Sequence, residues 1–218
     1  MDPKQEKIIQ KIEQKMKNQF GGESSGHDYW HLVRVKNLAQ SIAKKESANL
    51  FIVTCAALLH DAIDEKLISD VAKAKRQLQE ELLEVGLTAE EITWILQIMQ
   101  EISFKGGHNP QTPSTLEAEI VQDADRLDAI GAIGIARTMS YSGFHHRLIH
   151  DPQKVPRETL TLETYRNGQD TAIMHFYEKL LKLKDLMNTA TAKQMAQHRH
   201  QYMEDFLTEF YAEWDGRC

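Results

Sequence analysis

Proline and cysteine are both scarce. Five prolines in 218 residues argue against a many-turned β fold, which uses proline and glycine at its frequent turns. The two cysteines, Cys55 and Cys218, have no CxxC spacing and supply neither a disulfide framework nor a metal knuckle. Cys55 lies in the apolar run Asn49–Leu59 and reads as a small buried hydrophobe. A long hydrophobic run is also missing. The uncharged stretch Ser47–Leu59 falls short of the roughly 20 residues that span a bilayer. The start, MDPKQEKIIQKIEQKMK, is charged throughout and has no leader-like core. A reducing cytoplasm is therefore the expected compartment. There is no basic tail or Lys/Arg stripe, and the net charge is −6. Such a chain repels nucleic acid and anionic membrane as a whole, so a phosphate-bearing ligand needs a local basic pocket.

What remains is ordinary globular material, 41% hydrophobic and 27% charged, patterned at helical period. Ile8, Ile9, Ile12, Met16 and Phe20 form one stripe over residues 3 to 20, ended by Gly21-Gly22. Asp28 is a candidate N-cap for a helix over 29 to 45, with Trp30, Val33, Val35, Leu38 and Ile42 on its buried face. Residues 48 to 60 are apolar nearly all round, which predicts a central helix. Further helices are expected at about 69 to 85, closed by Gly86, at about 89 to 103, and from Ser114 to about Ile130. Thr88 with Glu91, and Ser114 with Glu117, have the spacing of capping boxes. The stretch 105 to 113, KGGHNPQTP, is a loop, and 131 to 155 looks irregular. Two long amphipathic helices, about 158 to 187 and 190 to 213, complete an all-α reading as one domain over 1 to 218. The terminal helices can pack on the core or on a second chain, so a homodimer stays open.

Three segments combine histidine and aspartate in unusual settings: HDYWHLVRV (27 to 35), LLHD (58 to 61) and DADRLD (123 to 128). The second is the most informative. An imidazole and a carboxylate end a strongly apolar helix, where burying them costs several kcal/mol unless something compensates. A divalent cation compensates, because it keeps the carboxylate ionised and uses a neutral imidazole nitrogen. A mixed N/O ligand set suits Mn, Fe, Co, Ni or Zn, and Mg less well. Taken singly, each segment has a bland reading: a core or surface histidine, or a helix-capping aspartate.

The order H…HD…D resembles the HD-domain superfamily of metal-dependent phosphohydrolases, in a small bacterial branch of predicted hydrolases. His31-Leu32-Val33-Arg34-Val35 resembles the HxxRV motif of that family, Leu58-Leu59-His60-Asp61 its name-giving pair, and Ala124-Asp125-Arg126-Leu127 its last-aspartate segment. The likeness spans about residues 27 to 130, and the C-terminal helices fit the branch less specifically. It implies an HD helical bundle and one divalent metal (Mn, Ni, Co, Fe or Mg) on His31, His60, Asp61 and Asp125. Asp123 and Asp128 are the rival carboxylates. Asp128 lies three residues from Asp125 on the same helical face, while Asp123 points away. Asp128 is thus a substrate-contacting or ligand-supporting candidate, with an ion pair to Arg34 or Arg126 as the alternative.

The resemblance also places an acid/base candidate at Asp64, with Glu65 beside it; the alternative for Asp64 is a helix N-cap. Arg126 falls where relatives carry a basic phosphate-binding residue. Arg34, Lys105 and His108 are substrate-binding candidates, and for the last two a solvated loop is the alternative. Two-metal relatives have extra histidines between the HD pair and the last aspartate. Only His108 lies there, and His145-His146 come after Asp125, so one metal is expected. The implied activity is hydrolysis of a small phosphorylated molecule, a nucleotide first, and specifically a nucleoside or deoxynucleoside triphosphate. A silent HD-fold regulatory module and a plain helical interaction protein are the rival classes.

Overall fold

In the computed structural model the described residues are 1–22, 28–63, 70–102, 113–157 and 171–217. Among them lie nine α-helices, one 3-10 segment and no strand. The helices are α1 (Pro3–Phe20), α2 (Tyr29–Glu46), α3 (Leu50–Leu59), α4 (Val71–Val85), α5 (Ala89–Ile102), α6 (Leu116–Asp128), α7 (Gly131–Phe144), α8 (Ala172–Glu178) and α9 (Ala190–Trp214). The 3-10 segment, Leu180–Leu186, lies between α8 and α9. Backbone contacts divide the chain into two compact units, Met1–Asp125 and Arg126–Cys218. None of these helices is long and apolar enough to cross a membrane.

In the first unit α3 is the centre, with α1, α2 and α5 packed on it. Every residue from Phe51 to Leu59 is buried, as expected of a helix that has no polar face. α1 buries Ile8, Ile9, Ile12, Met16 and Phe20 and leaves its other faces to lysine, glutamate and glutamine. α2 and α3 form a tight antiparallel hairpin. Ser47 ends α2 in the left-handed region, at φ 58. Two residues on, Asn49 caps α3 by accepting the Ile52 N–H. Gln40 reaches Thr54 midway, and His31 reaches His60 at the open end. The hairpin therefore brings the start of α2 beside the end of α3.

Some expectations are corrected. Trp30 is 63% exposed, and Val33 and Leu38 are only half-buried. The inward face of α2 is made by His31, Leu32, Val35, Ala39, Ile42 and Ala43 instead. The Thr88–Glu91 box forms, but Ser114–Glu117 does not. Ser114 turns back to Glu101, Thr115 caps Ala118, and Glu117 accepts the Asn49 N–H.

In the second unit, α9 packs on α7 and on the 3-10 segment, and α8 packs on α7 and on that segment. The stretch expected to be irregular contains α7, a regular helix. Two of its three glycines, Gly131 and Gly134, serve close packing: a Cβ on Gly134 would stand 2.3 Å from the Ala129 carbonyl oxygen. Of the helix expected over 158 to 187, the first part lies outside the described residues, and the rest breaks at Lys179 (φ −135, ψ −58). Glu178 is buried there and accepts from both the backbone N–H and the guanidinium of Arg157. The helix stops where that inward ion pair takes over.

Candidate metal centre

Each histidine of the cluster is aimed by a local device. His31 is the third residue of α2, and its backbone N–H donates to the Asp28 carboxylate at 2.7 Å. That cap fixes the first turn, from which the imidazole points inward at 1% exposure. His60 follows the last residue of α3. Its Nδ1 lies 2.8 Å from the Ala57 carbonyl oxygen. A carbonyl accepts only, so Nδ1 carries the proton and Nε2 presents a lone pair.

The donor atoms converge. Nε2 of His31 stands 3.2 Å from Nε2 of His60. Asp61 lies 3.6 Å from His31 Nε2 through one carboxylate oxygen and 3.5 Å from His60 Nε2 through the other. Asp125 Oδ1 is 3.5 Å from His31 Nε2 and 3.8 Å from His60 Nε2. Ligands about 2.1 Å from a shared ion stand about 3.0 Å apart at right angles and about 3.4 Å apart at tetrahedral angles. The separations among His31, His60 and Asp125 fit one ion with a slightly relaxed shell, while Asp61 turns a different oxygen to each imidazole. A proton on His31 Nε2 would serve only one of these acceptors and leave the rest facing one another. His31, His60 and Asp125 form a group able to hold a metal by donor convergence alone.

Burial gives the cluster a floor and a rim. The imidazoles are 1% and 5% exposed, while the side chains of Asp61 and Asp125 are 21% and 36% exposed. An incoming oxygen ligand therefore approaches from the carboxylate side.

The other candidates are distributed differently. Arg34 lies one turn beyond His31 on α2 and is half-buried. Arg126 directs Nη1 to the Leu186 carbonyl. Asp128, 1% exposed, is held by Arg137 Nη1 at 2.8 Å. Asp123 is wholly buried. Asp64, Glu65, Lys105 and His108 lie outside the described residues. Arg137 escaped the sequence reading because α7 itself was not anticipated. Its signal was an arginine nine residues after Asp128, across the Gly131 turn.

Comparison with known proteins sets this geometry in a family. Residues 29–130 match the family model of the HD domain. A solved protein of Lactobacillus plantarum is 44% identical, covers 99% of both chains and superposes with a TM-score of 0.83. An HD-superfamily hydrolase of Bacillus thuringiensis is 40% identical over 97% of this chain and 98% of its own, with a TM-score of 0.78. The chain belongs to the HD superfamily. Bacillus subtilis YpgQ, solved in complex with ADP, is 34% identical over 94% of this chain and 97% of its own, with a TM-score of 0.76. As an HD-superfamily member the chain is a metal-dependent phosphohydrolase, and its His/Asp cluster can hold a divalent ion.

Proposed function

We propose that this HD hydrolase acts on a nucleotide, foremost a nucleoside or deoxynucleoside triphosphate, releasing pyrophosphate or phosphate. The reading further assigns one divalent ion to His31, His60, Asp61 and Asp125. The observation that carries it is the convergence of His31, His60 and Asp125, with the Asp61 carboxylate beside both imidazoles at an exposed rim. The ADP held by the related YpgQ supports a nucleotide over other phosphate esters.

When bound, a divalent ion there supplies a lowered water pKa and offsets phosphoryl charge. The protein supplies the aim. Ala57 keeps His60 in the tautomer that donates through Nε2, and Asp28 holds the turn that presents His31. Asp61 and Asp125 stand at the open side, where they orient an attacking water by accepting its hydrogens. Asp64 is assigned proton transfer to the leaving oxygen on sequence grounds, with Glu65 as its rival. Arg34, Lys105, His108 and Arg126 are assigned the balance of substrate charge on the same grounds.

The test is a screen for phosphate and pyrophosphate release over nucleoside and deoxynucleoside triphosphates with Mn, Co, Ni, Fe and Mg. The parent is compared with His60→Ala and Asp61→Ala. Turnover that needs both the ion and the HD pair supports the reading. A parent that binds metal and ADP yet hydrolyses no nucleotide would sink it in favour of a regulatory module.

A further inference from the structure

We propose that Asp128, Arg137 and Arg199 are positioning residues: together they clamp the C-terminal turn of α6, the helical turn that carries the Asp125 carboxylate. This rests on the reading of Asp125 as a metal ligand.

The last four carbonyls of a helix have no intrahelical donor. In α6 these belong to the turn from Asp125 to Asp128, where Arg126 and Leu127 also accept the Ala129 and Ile130 N–H groups. Arg199 Nη1 donates to the Leu127 carbonyl. Arg137 Nη1 donates to the Asp128 carbonyl at 3.4 Å and to the Asp128 carboxylate at 2.8 Å. Cations are electrostatically favoured at this end of a helix. Arg137 also takes hold of one residue by main chain and side chain together, which restrains both travel along the axis and rotation about it. The Asp128 charge also favours the charged form of Arg199, against the burial that disfavours it.

The neighbouring backbone is shaped for this. Gly131 has φ +75, and a Cβ there would lie 3.0 Å from both Cβ and Cγ of Arg199. Only glycine lets the chain pass so close to the arginine stem. At 1% exposure, Asp128 offers no surface for a substrate.

The magnitude explains why such a clamp matters. A side-chain tip stands about 5–6 Å from its helix axis, so a rotation of about 10° moves a carboxylate by about 1 Å. Metal–ligand distances tolerate about 0.2 Å. Asp125 is one turn before Asp128 on the same helical face, so looseness at Asp128 is transmitted to the ligand oxygen with little loss.

The experiment is Mn²⁺ affinity, read from the EPR signal of free Mn²⁺ at a temperature well below unfolding. The variants are Asp128→Asn, Arg137→Gln, Arg137→Lys, Asp125→Ala and the stability control Leu207→Ala, a buried residue of α9. Asp128→Asn and Arg137→Gln are expected to weaken Mn²⁺ about 10-fold or more. Arg137→Lys recovers part of that loss, and Leu207→Ala keeps the parental affinity. Should Asp128→Asn not fold, Arg137→Gln stands alone, since that side chain is partly exposed. Parental affinity in folded Arg137→Gln, with affinity lost in Asp125→Ala, overturns the clamp and spares the ligand reading. Equal weakening in Leu207→Ala also overturns it, because loosening alone would then suffice. Parental affinity in Asp125→Ala overturns the ligand reading itself, and the clamp with it.

Discussion

Replacing His60 by alanine removes one donor from the cluster and strips the Ala57 carbonyl of its partner. Bound Mn²⁺, measured by elemental analysis after dialysis, is expected to fall by more than the roughly 10–100-fold typical of a lost supporting residue. The far-UV circular dichroism should stay helical, because the change lies beyond the last residue of α3. The ligand candidates were legible as residues, since an imidazole and a carboxylate closing an apolar helix need an explanation. Their supports were not, because a backbone carbonyl such as that of Ala57 carries no sequence signal. A different residue governs the acid limb. His175 has its pKa lowered to about 4, chiefly by burial, with the charges of Lys179 and Arg147 adding to it. The unfolded chain takes up this proton below about 6.5, while the folded one resists it until about 4. Stability from His175 is therefore present above pH 6.5 and is lost as pH falls from 6.5 to 4. A pH series of melting temperatures should show that slope, and His175→Asn should flatten it. Glu178, held below the usual carboxylate range by Arg157 despite its burial, adds its loss only at the acid end of that window.

At the scale of elements, the central helix was the easiest to foresee. Leu58 in α3 is fully buried, and Leu58→Ala is expected to cost about 2–5 kcal/mol in chemical denaturation. Asp28→Ala removes the cap of α2 and should cost about 1 kcal/mol. Asp28→Ser, which retains a capping oxygen, should recover most of it. α1, α3, α4 and α5 followed from their apolar spacing and from punctuation such as Gly86, which adopts φ 111 as a helix-ending residue. α7 did not, because its glycines read as breakers. In the fold Gly134 and Gly131 allow close approach to the Ala129 carbonyl and to Arg199. Ser114 misled for a related reason. Its hydroxyl and N–H were claimed by Glu101, thirteen residues earlier, and a local capping pattern cannot reveal such a distant competitor. The site's two-helix hairpin was legible only in part: the motifs located its ends, but the left-handed turn at Ser47 that joins them carries no glycine to announce it.

For the molecule as a whole, the boundary between the two compact units falls inside α6, between Asp125 and Arg126. Independent domains are usually separated by an exposed linker, and a continuous helix is not one. We therefore expect a single calorimetric unfolding transition, and two separate transitions would refute this. Metal should raise that transition by mass action, by about 2.7 kcal/mol at a hundred times its dissociation constant. EDTA should return it to the baseline, and His60→Ala should show no such rise. Sedimentation would decide whether the chain pairs with a second copy. The restraint on the two imidazoles also bears on time. Asp28 fixes the turn carrying His31, and Ala57 fixes the His60 ring, each through a hydrogen bond to the protein itself. An arriving cation has little left to organise, so its capture is paced by how quickly it sheds its own water. Stopped-flow loading should therefore be faster for Mn²⁺ than for Ni²⁺ or Mg²⁺, in the order of their water exchange. In a mixed pool of ions, the first occupant is chosen by exchange speed, and affinity chooses only the one that stays.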